Sequence, residues 1–315
     1  MKILVTGGCG YKGSVLVPKL LAAGHEVRVI DNMWFGNTLC EHQNLKVEKI
    51  DIKKLENIEL SGIEAIIHLA SIANDPTGDL NPKLTWETSC LATMGLADKA
   101  ARAGIKRFIY ASSGSVYGVK EEKEVTENLP LVPISEYNKT KMVAERCLLS
   151  YSNQMNVQIL RPATVCGVSP RMRFDVSVNL LTLSALKNKK IIVFGGEQVR
   201  PNVHIKDITS AYMFCIKNPQ VQGIFNVGFE NLSILDIAKM VQQHLDVPIE
   251  ITPSNDPRSY RVNSKKLLDS GFKPEFCVND AITEIIEAYN SGELVDDPRW
   301  HNLSWMKENN FHLER

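Results

Sequence analysis

Residues 2–13 read KILVTGGCGYKG, a short apolar run that breaks into glycines and then opens a helical pattern. Gly8, Gly10 and Gly13 fit G-x-G-x-x-G, with Gly7 alongside and Tyr11 and Lys12 filling the variable places. Glycines at this spacing let backbone come close to a pyrophosphate, whose charge then faces the free N–H groups at a helix start. Taken alone the spacing is a weak signal, and its surroundings decide it. The next strand-like run, HEVRVID, ends on Asp31 at the distance such a unit requires, with Asn32 following. A carboxylate there accepts bonds from both hydroxyls of an adenosine ribose and repels a 2′-phosphate, which selects NAD over NADP. One residue is awkward. Pro18 lies inside the first helical stretch, where it removes the bond to the Ser14 carbonyl and is expected to kink the chain.

Outward from this turn, short apolar runs alternate with helical patterns. KILVT, EVRVID, LKVEKIDI, IEAIIHLAS, RFIYASS and VQILRPATV read as strands, and the stretches near 12–23, 82–103 and 135–152 read as helices. Nearly continuous Val/Ile/Leu runs suit strands buried on both faces of a parallel sheet. The pattern predicts an α/β protein, a Rossmann-type doubly wound parallel sheet with a smaller C-terminal α/β domain. Past residue 165 the rhythm loosens: a helix at 175–188, a strand IIVFGG, then a helix and strand of the main sheet in NVHIKDITSAYMFCIKN and GIFNVGF. Helices near 233–244, 263–269 and 279–290 and a strand PIEIT complete the second unit. The expected division is an NAD-binding domain over 1–165, to which 201–229 returns, and a substrate domain over 166–315.

Composition narrows the function classes. Lysine plus arginine and aspartate plus glutamate both number 36, so no bulk field attracts nucleic acid or an anionic membrane. The seven cysteines are scattered without zinc or redox spacing and read as buried small residues in a reducing compartment. No metal site is expected. Glycines and lysines interrupt the apolar N-terminus, which therefore lacks a signal peptide's core, and the reading is a cytoplasmic protein.

A second stretch, PISEYNKTKMVAE (133–145), carries the chemistry. Ser135 is a candidate N-cap, and Ala144, Cys147, Leu148 and Tyr151 form an apolar stripe. Tyr137 and Lys141 stand four apart and share a helix face. A phenol needs its pKa lowered by about three units, or about 4 kcal/mol, to act as a base near neutrality. An exposed lysine supplies less than about 1 kcal/mol. The pair becomes a useful base only in a water-poor cleft where the positive nicotinamide ring of NAD adds to the lysine. A third member is Ser113 of YASSGSVYG, at the end of the fifth strand, where it bonds the reacting alcohol. Strand C-terminal ends are where α/β sheets bind ligands.

Glycine turn, Tyr-x-x-x-Lys and serine together resemble the extended short-chain dehydrogenase/reductase family, within it the nucleotide-sugar epimerases and dehydratases. The resemblance runs through TGGCGYKG, VIDN, IDI, HLAS, SSGSVYG, YNKTK, LRPATVCG and RPNVHIKDI. It implies that Asp51 and Ile52 flank the adenine, that Leu69, Ala70 and Ser71 pass beside the cofactor ribose, and that Lys141 also holds the nicotinamide ribose. It further implies that Arg200 and Arg258 grip a substrate diphosphate, for which planar guanidinium forks are suited. The stretch SPRMRFDVSVN (169–179) is similar to a branch that includes GDP-heptose 4-dehydrogenases, which makes Arg171, Arg173 and Asn179 candidate substrate contacts. Two departures stand out. Family dehydratases carry an Asp–Glu pair where this chain has Gly114 and Ser115, and a usual Asn is replaced by Ser89. The family also implies a homodimer through helices 82–103 and 135–152. The expectation is an NAD-dependent oxidation at C4 of a nucleotide-diphosphate sugar, as a 4-epimerase. The alternatives are a 4-dehydrogenase or reductase that releases the keto sugar, and a non-catalytic dinucleotide-sensing protein.

Overall fold

In the computed structural model, residues 1–254 and 259–313 are described. Seven strands form the main sheet: β1 (Lys2–Thr6), β2 (Glu26–Asp31), β3 (Leu45–Lys49), β4 (Ala65–His68), β5 (Arg107–Ala111), β6 (Asn156–Pro162) and β10 (Gly223–Val227). Their order is β10-β6-β5-β4-β1-β2-β3, and every neighbouring pair is parallel. The chain adds β2 and β3 on one side of β1 and then β4, β5 and β6 on the other, so a crevice opens at the carboxyl ends of β1 and β4, where α/β sheets take ligands. The central strands are almost wholly buried, Ile3, Leu4, Val5, Ile66 and Ile67 among them, which accounts for their unbroken apolar runs.

The helices are α1 (Gly13–Ala22), α2 (Asp75–Gly78), α3 (Pro82–Trp86), α4 (Ala92–Arg102), α5 (Glu136–Leu149), α6 (Ser177–Asn188), α7 (Ile205–Lys217), α8 (Ile234–Leu245), α9 (Lys265–Asp269), α10 (Val278–Ser291) and α11 (Asn302–Glu308). Helix α1 runs through Pro18 without a break, and Pro18 lies on its exposed face. The helix expected over 82–103 is not uniform: residues Glu87–Leu91 form a π turn between α3 and α4. Two small sheets complete the molecule. One joins β7 (Thr164–Cys166), β9 (Val199–His204) and β11 (Glu230–Ser233); the other joins β8 (Ile191–Phe194) and β12 (Ile249–Thr252). They pack with α6, α8 and α10 around a separate core of Val178, Ile191, Ile237, Val241 and Ile282. No helix among the described residues is long and apolar enough to cross a membrane.

Residues 302–313 return to the loop that follows β2, which the sequence pattern did not predict. Trp305 donates from its indole N–H to the Trp34 carbonyl at 2.7 Å, and Phe311 stacks on Trp34 at 5.2 Å between ring centroids. Ile72, Leu84 and Met306 pack beside them.

Candidate active site

A cavity of about 610 Å³ occupies the crevice, and both sequence stretches meet in it. Its floor is the glycine turn. Gly7 has φ of +68°, and a Cβ there would lie 2.6 Å from the Ala70 nitrogen. A Cβ on Gly13 would fall 2.4 Å from the Gly8 carbonyl oxygen, so the turn closes at this radius only with glycine. Gly8 itself packs downward, its place for a Cβ lying 2.7 Å from Val29, and it does not line the cavity. Gly7, Gly10, Tyr11, Lys12 and Gly13 do line it. The backbone N–H groups of Tyr11 and Lys12 have no acceptor among the described residues, and they stand at the start of α1. Orphan donors at a helix N-terminus fit a pyrophosphate. Asp31 is oriented by the N–H groups of Cys9 (3.0 Å) and Met33 (2.7 Å). Burial pushes its carboxyl pKa up, while those two bonds and the Arg171 charge oppose the rise. The residues present therefore fit a dinucleotide.

Asn32, Ile52, Leu69, Ala70 and Ser71 also line the cavity. Asp51 does not. Its carboxylate turns back to the Lys53 N–H at 2.9 Å, in a separate hollow that Lys53, Leu55 and Glu87 share. Ser89, which replaces the usual Asn, sits in the π turn with its hydroxyl accepting the Ile72 N–H at 3.1 Å and bonded to Ser71 at 3.0 Å. It holds the loop that follows β4.

The reactive end lies on β5 and α5. Ser135 caps α5 by accepting the Asn138 N–H at 3.2 Å, which presents Tyr137 in the first turn and Lys141 one turn later. Lys141 is buried, donates to the Ala111 carbonyl at 2.8 Å, and stands 5.8 Å from the centre of the Tyr137 ring. Beneath it, Arg161 binds Glu145 through two nitrogens at 2.9 and 2.6 Å and reaches the Tyr117 hydroxyl at 2.7 Å. Ser112 also donates to Glu145. This buried network ties the ends of β5 and β6 to α5, and so fixes Ser113 against Tyr137. Ser113 pairs with the Ser115 hydroxyl at 2.7 Å, and Ser115 donates to the Asn138 side-chain oxygen. At Gly114 a Cβ would stand 3.3 Å from the Pro162 oxygen, a tight contact.

Electrostatics here oppose the idle base. Burial pushes the Tyr137 phenol up to about 12; the Ser113 hydroxyl bond and the Arg173 charge work against that rise, and Asp75 adds to it. Burial drives the Lys141 ammonium pKa well down, with the Lys12 charge assisting. A positive charge beside Tyr137 favours the phenolate and opposes the rise in its pKa.

The far wall is the loop between β7 and α6. Arg173 grips Asp175 with two bonds of 2.9 Å, and Asn74 donates to the same carboxylate at 2.7 Å. Asn74 holds φ of 73° and ψ of 162°, a backbone region that non-glycine residues rarely enter. The Arg171 guanidinium lies 4.1 Å from the Phe35 ring centre and donates to Asn302 at 2.7 Å. Both arginines line the cavity. Asn179 corrects an expectation: it is fully buried outside the cavity. Its amide accepts the Gly167 N–H at 3.0 Å and donates to the Tyr11 hydroxyl at 3.0 Å and the Arg173 carbonyl at 2.8 Å. It ties the glycine turn to the far wall. Arg200 lines the cavity, and Arg258 lies outside the described residues. Asn74, Asp75, Asp175, Asn138, Phe194 and Tyr260 line it without a sequence signal that singles them out.

A parallel sheet with a glycine turn that fits a dinucleotide, beside a tyrosine–lysine pair, defines a nicotinamide-dependent enzyme of the short-chain dehydrogenase/reductase type. A profile of the NAD dependent epimerase/dehydratase family matches residues 3–228, and the chain belongs to that family. It is 29% identical over 307 residues to UDP-glucuronic acid decarboxylase 1 of Xenopus tropicalis, covering 91% of this chain and 72% of that one. It is 26% identical to UDP-glucose 4-epimerase of Corynebacterium glutamicum, covering 92% of this chain and 96% of the relative. Among solved structures, a UDP-glucose 4-epimerase from Thermotoga maritima with UDP-glucose superposes with a TM-score of 0.85 at 25% identity. That likeness covers 93% of this chain and 100% of the other.

Proposed function

We propose that the protein oxidises a nucleotide-diphosphate sugar at C4 with NAD and works as a 4-epimerase. The observation that carries this is the convergence of Tyr137, Lys141 and Ser113 on the cavity whose floor is the glycine turn. NAD, when bound, supplies the hydride acceptor. Ser113 orients the C4 hydroxyl, Tyr137 takes its proton, and Lys141 holds the developing phenolate by its charge. In epimerisation the ketose turns over in the site, its carbonyl carbon would take the hydride back on the other face, and Tyr137 returns the proton to the oxygen. Arg200 and Arg258 take the diphosphate, the pair of guanidinium groups matching its oxygens. The relatives' names, an epimerase and a decarboxylase acting on UDP-sugars, support a nucleotide-sugar substrate.

We assign cofactor binding to 1–165 with 201–229 and the sugar nucleotide to 166–315; the pairing of β10 with β6 supports the return to the main sheet. A homodimer through α4 and α5 is supported by Leu91 and Met94, 56% and 37% exposed just before and on α4. A cytoplasmic location accords with seven unpaired cysteines.

The reaction should stop short of eliminating water across C5 and C6. That step needs two carboxyl-type groups with separated pKa values beside the reacting carbons, whereas Gly114 has no side chain and Ser115 offers only a hydroxyl. The experiment incubates GDP-, UDP-, CDP- and dTDP-linked hexoses and heptoses with the enzyme and weighs the products. Unchanged mass with inverted C4 is the expected result. Loss of two hydrogens would make it a dehydrogenase, and loss of one water would make it a dehydratase.

A further inference from the structure

Lys12 occupies one of the variable places in the glycine turn and lines the cavity with Tyr137, Lys141 and Arg173. Its ammonium makes no hydrogen bond or ion pair among the described residues. The neighbouring cations differ in how they are compensated. Arg173 is neutralised by Asp175, while the carboxylate nearest Lys141, Glu145, is already bound by Arg161. Two positive charges, Lys12 and Lys141, therefore face the cleft without an anion of their own. Burial and the Arg173 charge lower the Lys12 pKa to about 8, as expected for an ammonium lacking a counter-charge.

Lys12 stands at the reactive end of the cavity: its charge acts on Lys141, whose ammonium is 5.8 Å from the centre of the Tyr137 ring. When an alcohol carbon gives its hydroxyl proton to Tyr137 and a hydride to the oxidised cofactor, the products are ketone, reduced cofactor and protonated tyrosine. Hydride acceptor and proton acceptor must then flank one carbon atom. The oxidised ring carries a positive charge and the reduced ring is neutral, so a nearby uncompensated cation disfavours only the oxidised form.

We propose that Lys12 sets the redox poise of the bound cofactor, making it a stronger oxidant of the sugar and favouring the state that holds reduced cofactor with the ketose. This rests on the NAD reading above. The pyrophosphate is a rival partner for the lysine, but it is already met by the unpaired N–H groups of Tyr11 and Lys12 and by the start of α1.

The test poises NAD-loaded protein against redox mediators and reads the absorbance of the reduced ring, with bound cofactor counted after release. Lys12→Met and Lys12→Gln should lower the midpoint potential by about 30 mV or more, equivalent to about a tenfold shift in the ratio of the two affinities. Lys12→Arg should stay near the parent. An unchanged midpoint in the neutral variants overturns the proposal. If binding of both cofactor forms then weakens equally, the lysine serves the pyrophosphate. A parent protein that binds neither form would instead sink the NAD reading itself.

Discussion

On one side of the cleft, residues 7–13 take their tight turn from the backbone: a positive φ at Gly7, a glycine contact between Gly8 and Gly13, and N–H groups of Tyr11 and Lys12 without an acceptor among the described residues. On the other side, residues 171–179 are held by side chains that reach across the chain. Asp175 meets Asn74, Arg171 meets Asn302, and Asn179 meets Tyr11, with sequence separations of 101, 131 and 168 residues. The floor is a local motif whose glycines and open N–H groups suit a dinucleotide pyrophosphate. The wall is a charged network assembled from distant parts of the chain. Altering the floor should change whether a cofactor binds; altering the wall should change which substrate is used and how the base titrates.

The largest effect belongs to the residue between them. Tyr137→Phe should reduce turnover by about 10²–10⁴-fold, since the placed proton acceptor is lost while the ring still packs. NAD binding, measured by calorimetry, should remain close to the parent. Activity within a few-fold of the parent would assign the base elsewhere and move the chemistry off α5.

Next in size is cofactor choice, a property of the floor. The parent should bind NAD more tightly than NADP, because the Asp31 carboxylate repels a 2′-phosphate. Asp31→Asn should narrow that preference by about tenfold or more, which corresponds to about 1.4 kcal/mol. The variant also loses one of the two backbone N–H acceptances at Cys9 and Met33, so NAD binding itself should weaken. A parent that prefers NADP would break the reading of this side of the cleft.

The same contrast explains what the sequence disclosed. Strands β1 and β2, the turn between them and Asp31 are read from residues within a 30-residue unit, because their hydrogen bonds and apolar faces are local. Tyr137 and Lys141 are likewise adjacent on one helix. The π turn at Glu87–Leu91 left no mark, since one extra residue per turn preserves the apolar spacing on either side. The resemblance of residues 169–179 makes Asn179 a candidate substrate contact, yet its amide is used up inside the wall. Asp51 sits beside a cavity residue, but its side chain leaves on the opposite face of the loop. The packing of Trp305 and Phe311 on Trp34 joins residues more than 270 apart, which no periodicity reports.

Within the wall, Asn74 separates backbone strain from bonding. Its φ of 73° with ψ of 162° costs about 1–3 kcal/mol for a residue with a Cβ. Its side chain repays part of this by accepting the Thr77 N–H at 3.0 Å and donating to Asp175 at 2.7 Å. Asn74→Ala loses both bonds and keeps the strain, whereas Asn74→Gly loses both bonds and relieves it. The alanine variant should therefore be less stable than the glycine variant by about 1 kcal/mol, read from denaturant midpoints. Equal midpoints would mean that the backbone is not held in this conformation, and the wall would be less rigid than its hydrogen bonds imply.

The smallest effect is electrostatic and tests whether the wall tunes the base. The Arg173 charge opposes the burial that raises the Tyr137 pKa, and the Asp75 charge reinforces it. Tyr137 acts only when deprotonated, so the rate with NAD bound climbs with pH until the phenol has titrated. Removing a cation makes the phenolate harder to form; removing an anion makes it easier. Arg173→Met should accordingly move the acidic limb of the kcat/KM profile to higher pH, and Asp75→Asn should move it to lower pH. The position of the limb is the readout, because either variant also lowers the plateau by disturbing substrate contacts. Asp175 lies within 2.9 Å of Arg173 and cancels much of its field at longer range, which keeps the displacement small. Limbs that move in the same direction in both variants would show that the wall acts on Tyr137 through geometry, and would leave Lys141 and the cofactor as the groups that set its titration.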